Sequence, residues 1–186
     1  ILFSICYRFK VSGKHNLPKG PYIIVANHRC AIDGFLITTN FVRKINKEIF
    51  FFAKEKHWKS KFAQFFAKKN NIILMDINKN VRRSLQEMCA VLEKGKSIVI
   101  FPEGTRSKGG PVKEFKPGSF KLAFQSSADI VPVTIDGTWK IYEEHKNIKP
   151  AKIKLTIHPV VKTEGLSKEE LREIPAQVQK IVESAL

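Results

Sequence analysis

The chain is short of acidic residues: 17 Asp and Glu against 33 Lys and Arg leave a formal net charge of +16 over 186 residues. Cysteine is scarce too. Cys6, Cys30 and Cys89 are odd in number and lack the close pairing of a zinc site or a secreted disulfide framework, so a reducing, cytosolic environment is expected. His15, His57, His145 and His158 are dispersed without ligand spacing, and neither a metal nor another cofactor is expected. No apolar run is long enough to cross a bilayer, and no signal-peptide pattern is present. Residues 1–9 are largely apolar, but a helix of that length reaches only about 14 Å. They are read as a membrane-proximal remnant ahead of a single folded domain at 10–186. The sequence opens on Ile1 rather than methionine, and further residues upstream are expected. Repeats and low-complexity tracts are missing as well, and Gly and Pro are scattered at element ends, which leaves one globular unit.

What is present is chemically pointed. The apolar run Tyr22-Ile23-Ile24-Val25-Ala26 reads as a buried strand, and Asn27-His28 follows it with Asp33 five residues after the histidine. At a strand end a carboxylate at that spacing can accept from imidazole Nδ1, fix the tautomer and leave Nε2 as a base for a substrate hydroxyl. The plainer alternative is a locally satisfied histidine and an ordinary helix N-cap aspartate. A second apolar run, Ile98-Val99-Ile100-Phe101, ends in Pro102-Glu103-Gly104-Thr105-Arg106-Ser107. Gly104 allows close backbone approach to an anion and Arg106 offers a planar fork of donors to phosphate, unless the segment is only a tight turn with a solvated arginine.

These two blocks, about seventy residues apart and in this order, resemble those of the glycerolipid acyltransferases typified by 1-acyl-sn-glycerol-3-phosphate (lysophosphatidate) acyltransferase. Asn27, His28 and Asp33 match that family's first motif, and residues 101–107 match its third in full. Ile130-Val131-Pro132-Val133 resembles its fourth block, and Phe115-Lys116-Pro117-Gly118-Ser119-Phe120-Lys121 resembles the basic stretch that leads into the preceding helix, so the likeness spans roughly residues 10–160. The second motif departs. The family usually has an arginine directly after an aspartate there, and here Asp76 is followed by Ile77. Because that arginine is associated with the acceptor phosphate, the acceptor head group stays open. Arg82 and Arg83 lie further along as substitutes or as a solvated helix face.

Strands are expected near 21–27, 48–54, 71–76, 97–102, 130–135 and 152–161, with helices near 33–43, 57–69, 79–94 and 117–127. This α/β alternation predicts a single-domain mixed, mostly parallel sheet flanked by helices, with both motifs at the carboxyl ends of strands. Ser167 and Glu170 form a capping-box pair ahead of an apolar stripe at Leu171, Ile174, Val178, Ile181 and Val182, while Pro175 predicts a kink or an interrupted first turn. Residues 43–69 hold nine Lys or Arg against two Glu, together with Trp58, Phe62, Phe65 and Phe66. A basic helix with such aromatics suits contact with an anionic phospholipid membrane. A core-facing aromatic stripe with a solvated lysine face is the alternative.

The resemblance implies transfer of a fatty acyl group from an acyl-CoA or acyl carrier protein thioester to the sn-2 hydroxyl of lysophosphatidate. His28 is then the base, Asp33 orients it, and Arg106 holds the acceptor phosphate with Lys116, Lys121 or Arg82. Asn27, Glu103, Gly104 and Thr105 complete the expected substrate-binding set, Glu103 and Thr105 chiefly as loop-shaping residues. Cys30 lies at a variable position of the first motif and is not assigned as a nucleophile. The protein is expected on the cytoplasmic face of the cell membrane, peripheral or monotopic. Other acceptors, glycerol 3-phosphate or another lysophospholipid, and a non-catalytic membrane-binding domain are the competing readings. No nucleic-acid motif accompanies the basic charge, and no nucleic-acid partner is expected.

Overall fold

The structure, a computed structural model, describes residues 8–34, 36–37, 49–54, 60–61, 64–65, 67, 71–75 and 81–186. Its strands are β1 (Arg8–Ser12), β2 (Tyr22–Ala26), β3 (Ile49–Lys54), β4 (Ile72–Met75), β5 (Ser97–Ile100), β6 (Asp129–Asp136) and β7 (Lys152–Ile157). They form one sheet in the order β1-β7-β6-β2-β5-β3-β4. All neighbours are parallel except β6 and β7, so β7 and β1 run opposite to the other five strands. The mixed, mostly parallel α/β sheet expected from the alternation is therefore the fold observed.

Because β2 has partners on both sides and helices over its faces, all five of its residues are buried, as the unbroken apolar run requires. Alternate side chains enter opposite layers. Ile23 and Val25 join Ile98, Ile130 and residues of α1 (Val81–Glu93), α2 (Lys121–Ser126) and α3 (Lys168–Glu183) on one face. Tyr22, Ile24 and Ala26 join Val99, Val131, Val133 and Ile37 on the other, with Phe51 and Phe101 packed against them.

α3 begins with the expected capping box, Ser167 Oγ accepting from the Glu170 amide at 3.2 Å and Glu170 Oε2 from the Ser167 amide at 2.8 Å. Its course is not interrupted by Pro175, which lies inside the helix. Pro175 has no N–H to give, and the burial of Ile174, Val178 and Val182 in the core offsets the missing bond. The expected strand 152–161 ends at Ile157, and Val161 rejoins the sheet only through a bridge to Ile130.

The sequence reading missed β1. Arg8-Phe9-Lys10-Val11 alternates charged and apolar residues as a half-exposed strand does, and its register pairs Arg8 with Lys152 and Phe9 with Ile153. The expected boundary between residues 9 and 10 thus falls within a strand, and Arg8 and Phe9 belong to the sheet. Residues 1–7 and most of the expected helices at 33–43 and 57–69 lie outside the described residues. Of the aromatics in the basic stretch, Trp58, Phe62 and Phe66 are outside them, while Phe65 is described and exposed. Among the described residues no helix is long and apolar enough to cross a membrane.

Candidate active site

β2 and β5 are adjacent and parallel, so the residues that follow them leave the sheet side by side. His28 stands two residues beyond β2, its side chain 17% exposed, and its Nδ1 lies 3.0 Å from Asp33 Oδ2. Asp33 is fully buried. The same oxygen accepts from the amides of Arg29 at 2.6 Å and Cys30 at 2.7 Å, so the carboxylate draws the turn 28–33 closed around itself. The aspartate thus reaches back along the chain to the histidine and its neighbours, as the expected His–Asp pair requires. Burial pushes the Cys30 thiol up from its ordinary value, and the side chain is almost fully enclosed, which leaves it a packing residue.

The loop after β5 holds this turn from the other side. Glu103 is buried, with Oε1 accepting from the His28 amide at 2.6 Å and Oε2 from the Lys113 amide at 3.0 Å. The Ser107 amide donates to the His28 carbonyl at 2.8 Å. Burial pushes the Glu103 carboxyl up, while the two amide bonds act in the opposite direction. Phe101 stacks on the imidazole, with ring centroids 4.3 Å apart and planes 19° apart, and Phe51 meets Phe101 edge-on at 5.6 Å. Behind Phe51 lies Gly34, where a Cβ would stand 2.9 Å from the Phe51 ring. Gly34, Phe51, Phe101 and His28 therefore form a continuous line of contact from the turn through β3 and back to the imidazole.

Two expected substrate contacts are corrected. Asn27 is fully buried and spends its side-chain amide on one residue of β6, donating to the Ile135 carbonyl at 2.9 Å and accepting from the Ile135 amide at 2.7 Å. It extends the β2–β6 pairing past the end of the strand, with its side chain enclosed and away from solvent. Both oxygens of Glu103 are likewise committed to backbone amides, so Glu103 is a clamp between the two motifs.

The cations separate into two groups. Arg106 is 38% exposed and donates from Nη1 to Oε1 of Glu143, a nearly buried carboxylate, at 2.6 Å. The Lys116 ammonium lies beside Gly104, where a Cβ would come within 3.2 Å of Nζ, and Thr105 is exposed on the same loop. Lys121 is exposed at the start of α2, and Arg82 is exposed on α1, lining a groove with Cys89, Glu93 and Gln125 that includes no residue of either motif. Glu143, Phe51 and Gly34 went unrecognised in the sequence. Only Gly34 carried a signal, a glycine directly after Asp33 where a helix starts, which marks close approach. Among the described residues no group of His, Cys, Asp and Glu is arranged to hold a metal ion.

The acyltransferase family profile matches residues 8–136, which include both motif turns and the whole run from β1 to the end of β6. The chain belongs to the acyltransferase family. It is 30% identical over 149 residues to a probable 1-acyl-sn-glycerol-3-phosphate acyltransferase of Mycoplasma genitalium, covering 78% of this chain and 55% of that one. To the 1-acyl-sn-glycerol-3-phosphate acyltransferase of Borreliella burgdorferi it is 29% identical over 180 residues, covering 91% of this chain and 68% of that one. The chain thus spans roughly half to two-thirds of the length of these relatives. The crystal structure of the 1-acyl-sn-glycerophosphate acyltransferase PlsC from Thermotoga maritima superimposes with a TM-score of 0.79 at 31% identity, over 96% of this chain and 70% of that one. This acyltransferase fold therefore extends past the matched profile to β7 and α3.

Proposed function

We propose that this acyltransferase moves a fatty acyl group from a thioester, acyl-CoA or acyl carrier protein, to the sn-2 hydroxyl of lysophosphatidate, giving phosphatidate. The observation that carries the reading is the 3.0 Å contact between His28 Nδ1 and Asp33 Oδ2 at the end of β2. An ionised carboxylate only accepts, so Nδ1 carries the proton and Nε2 keeps its lone pair. That nitrogen takes the proton of the acceptor hydroxyl as the oxygen attacks the thioester carbonyl, and Asp33 stabilises the imidazolium that forms. Collapse of the tetrahedral intermediate expels the thiolate, to which His28 returns the proton. The negative oxygen of the intermediate needs donors, and the Thr105 and Arg106 amides, which have no hydrogen bond within the described residues, supply them. The acceptor phosphate is held by cations of the same loop, Arg106 and Lys116. The names of the relatives in Mycoplasma genitalium and Borreliella burgdorferi support lysophosphatidate as acceptor. The excess of basic charge supports peripheral contact with an anionic membrane on the cytoplasmic face.

The test is thiol release from acyl-CoA in mixed micelles, with and without lysophosphatidate, for the wild-type chain and His28→Ala. Release should require the acceptor and fall at least about 100-fold in the variant. Acceptor-independent release would make the protein a thioesterase, and a His28→Ala chain with wild-type turnover would remove His28 as the base.

A further inference from the structure

The segment that follows β6 gathers charge from both motif turns. It opens at Gly137, whose φ is 84° and whose Cβ would lie 2.0 Å from the Lys152 carbonyl oxygen, so only glycine fits. The Arg29 guanidinium lies 6.0 Å from the centre of the Trp139 ring, and Lys140 Nζ lies 5.3 Å from it. Four residues after Trp139, Glu143 holds Arg106 and stands 3.8 Å from Lys146 Nζ. The neighbouring Glu144 turns to His145 at 3.1 Å. Arg29, Arg106, Lys140 and Lys146 thus gather on one short segment whose buried carboxylate, Glu143, is already engaged by Arg106.

Arg29 is the anomaly in this group. It is only 8% exposed, yet it has no carboxylate partner among the described ion pairs. Its Nη2 donates to the Gly109 carbonyl at 3.4 Å, a long bond, and its Nε is enclosed with no acceptor among the described residues. The indole N–H of Trp139 is likewise enclosed without an acceptor among the described residues. A guanidinium withdrawn from water is ordinarily paired, because a buried charge without a counter-charge is costly. Arg106 has its counter-charge in Glu143, and among the described residues Arg29 has none.

We propose that Arg29, seated on Trp139 one residue after the catalytic histidine, receives a phosphate group of the substrate. The planar fork of the guanidinium matches phosphate oxygens, and the adjacent indole and lysine favour an anion in the same place. The inference deepens the acyl-transfer reading and rests on it for the substrate's identity. Two phosphates have this chemistry: the monoester of the acceptor and the phosphates of the carrier that bears the thioester.

The experiment uses fluorescence. The chain has two tryptophans, Trp58 and Trp139, so Trp58→Phe leaves Trp139 as the reporter. This protein is titrated with sn-glycerol 3-phosphate against glycerol, and with coenzyme A against pantetheine. A saturable change with a phosphate-bearing probe and none with its phosphate-free partner is expected, and Arg29→Gln should weaken it at least tenfold. A response to glycerol 3-phosphate assigns the site to the acceptor, and a response to coenzyme A assigns it to the donor. No response to either phosphate probe, or an unchanged titration in Arg29→Gln, overturns the proposal. Should Arg29→Gln fail to fold, Arg29→Lys serves instead: several-fold weaker binding at an unchanged unfolding midpoint supports the role, and unchanged binding overturns it. Because these titrations need no turnover, they stand apart from any failure of the acyl-transfer reading.

Discussion

Glu103 Oε1 accepts from the backbone amide of His28 at 2.6 Å, and its other oxygen accepts from the Lys113 amide at 3.0 Å. The glutamate that follows β5 therefore sets where the histidine that follows β2 stands. Glu103→Gln puts an NH2 group against one of these two amides. A lost charge-assisted bond and an orphaned buried donor predict destabilisation of about 1.5–3 kcal/mol, read from urea unfolding, together with reduced kcat. Unaltered stability in Glu103→Gln would show that the clamp contributes nothing.

Asp33 has three donors on one oxygen, and only one of them is the imidazole. Asp33→Ala takes the acceptor away from all three, the Nδ1–H of the imidazole and the two backbone amides. With the tautomer no longer fixed, kcat should fall by roughly three to four orders of magnitude, as in other His–Asp pairs. Steady-state kinetics with lysophosphatidate check this, and a fall of less than tenfold would mean that Asp33 only closes the turn.

Gly34 reaches His28 without touching it. A methyl group at 34 meets the Phe51 ring at 2.9 Å, and the displacement passes through Phe101 to the imidazole stacked on it. Gly34→Ala should cost about 1–3 kcal/mol through overpacking and lower kcat with little change in acceptor KM. Adding Phe51→Leu should restore most of both. If the double variant is no better than the single, the aromatic line is not the route.

His158 gives stability an acid limb. Burial, with help from Lys154, lowers its pKa from the ordinary 6.5. Thr134 spends its hydroxyl proton on the Val182 carbonyl at 2.6 Å and so accepts from His158 Nε2 at 2.8 Å, which sets the neutral tautomer. The unfolded chain takes up the proton first as pH falls. This contribution is thus complete above about 6.5 and is lost as pH drops through the lowered folded value. Unfolding free energies between pH 7.5 and 5 should decline less steeply in His158→Gln than in the parent, and equal slopes would assign the acid limb elsewhere.

Much of this architecture was legible beforehand, for identifiable reasons. Two central strands are buried on both faces, so Tyr22-Ile23-Ile24-Val25-Ala26 and Ile98-Val99-Ile100 appear as apolar runs, and the residues just past them become conspicuous. The His28–Asp33 contact was readable because five residues suffice for one turn to close. β1 was missed because an edge strand buries one side only and its Phe9 had been attributed to an apolar leader. Asn27 is expected among the substrate contacts because a polar residue in a motif looks available, whereas Glu103, in the expected substrate-binding set chiefly as a loop-shaping residue, does hold the loop. Only the structure shows that Ile135 holds Asn27 and that the His28 amide holds Glu103, partners 108 and 75 positions away. The pairing of Arg106 with Glu143 had no sequence signal at all, since thirty-seven positions separate them.

β1 runs against the central strands, and its first residue pairs with Lys152, beside the turn at Gly137. The chain consequently comes into its sheet from the same end at which His28 leaves it. For anyone attaching a tether, a fusion partner or a surface linker ahead of Arg8, the geometry has a practical meaning. Such a leash draws the catalytic end, and not the opposite end of the sheet, toward whatever it is fastened to.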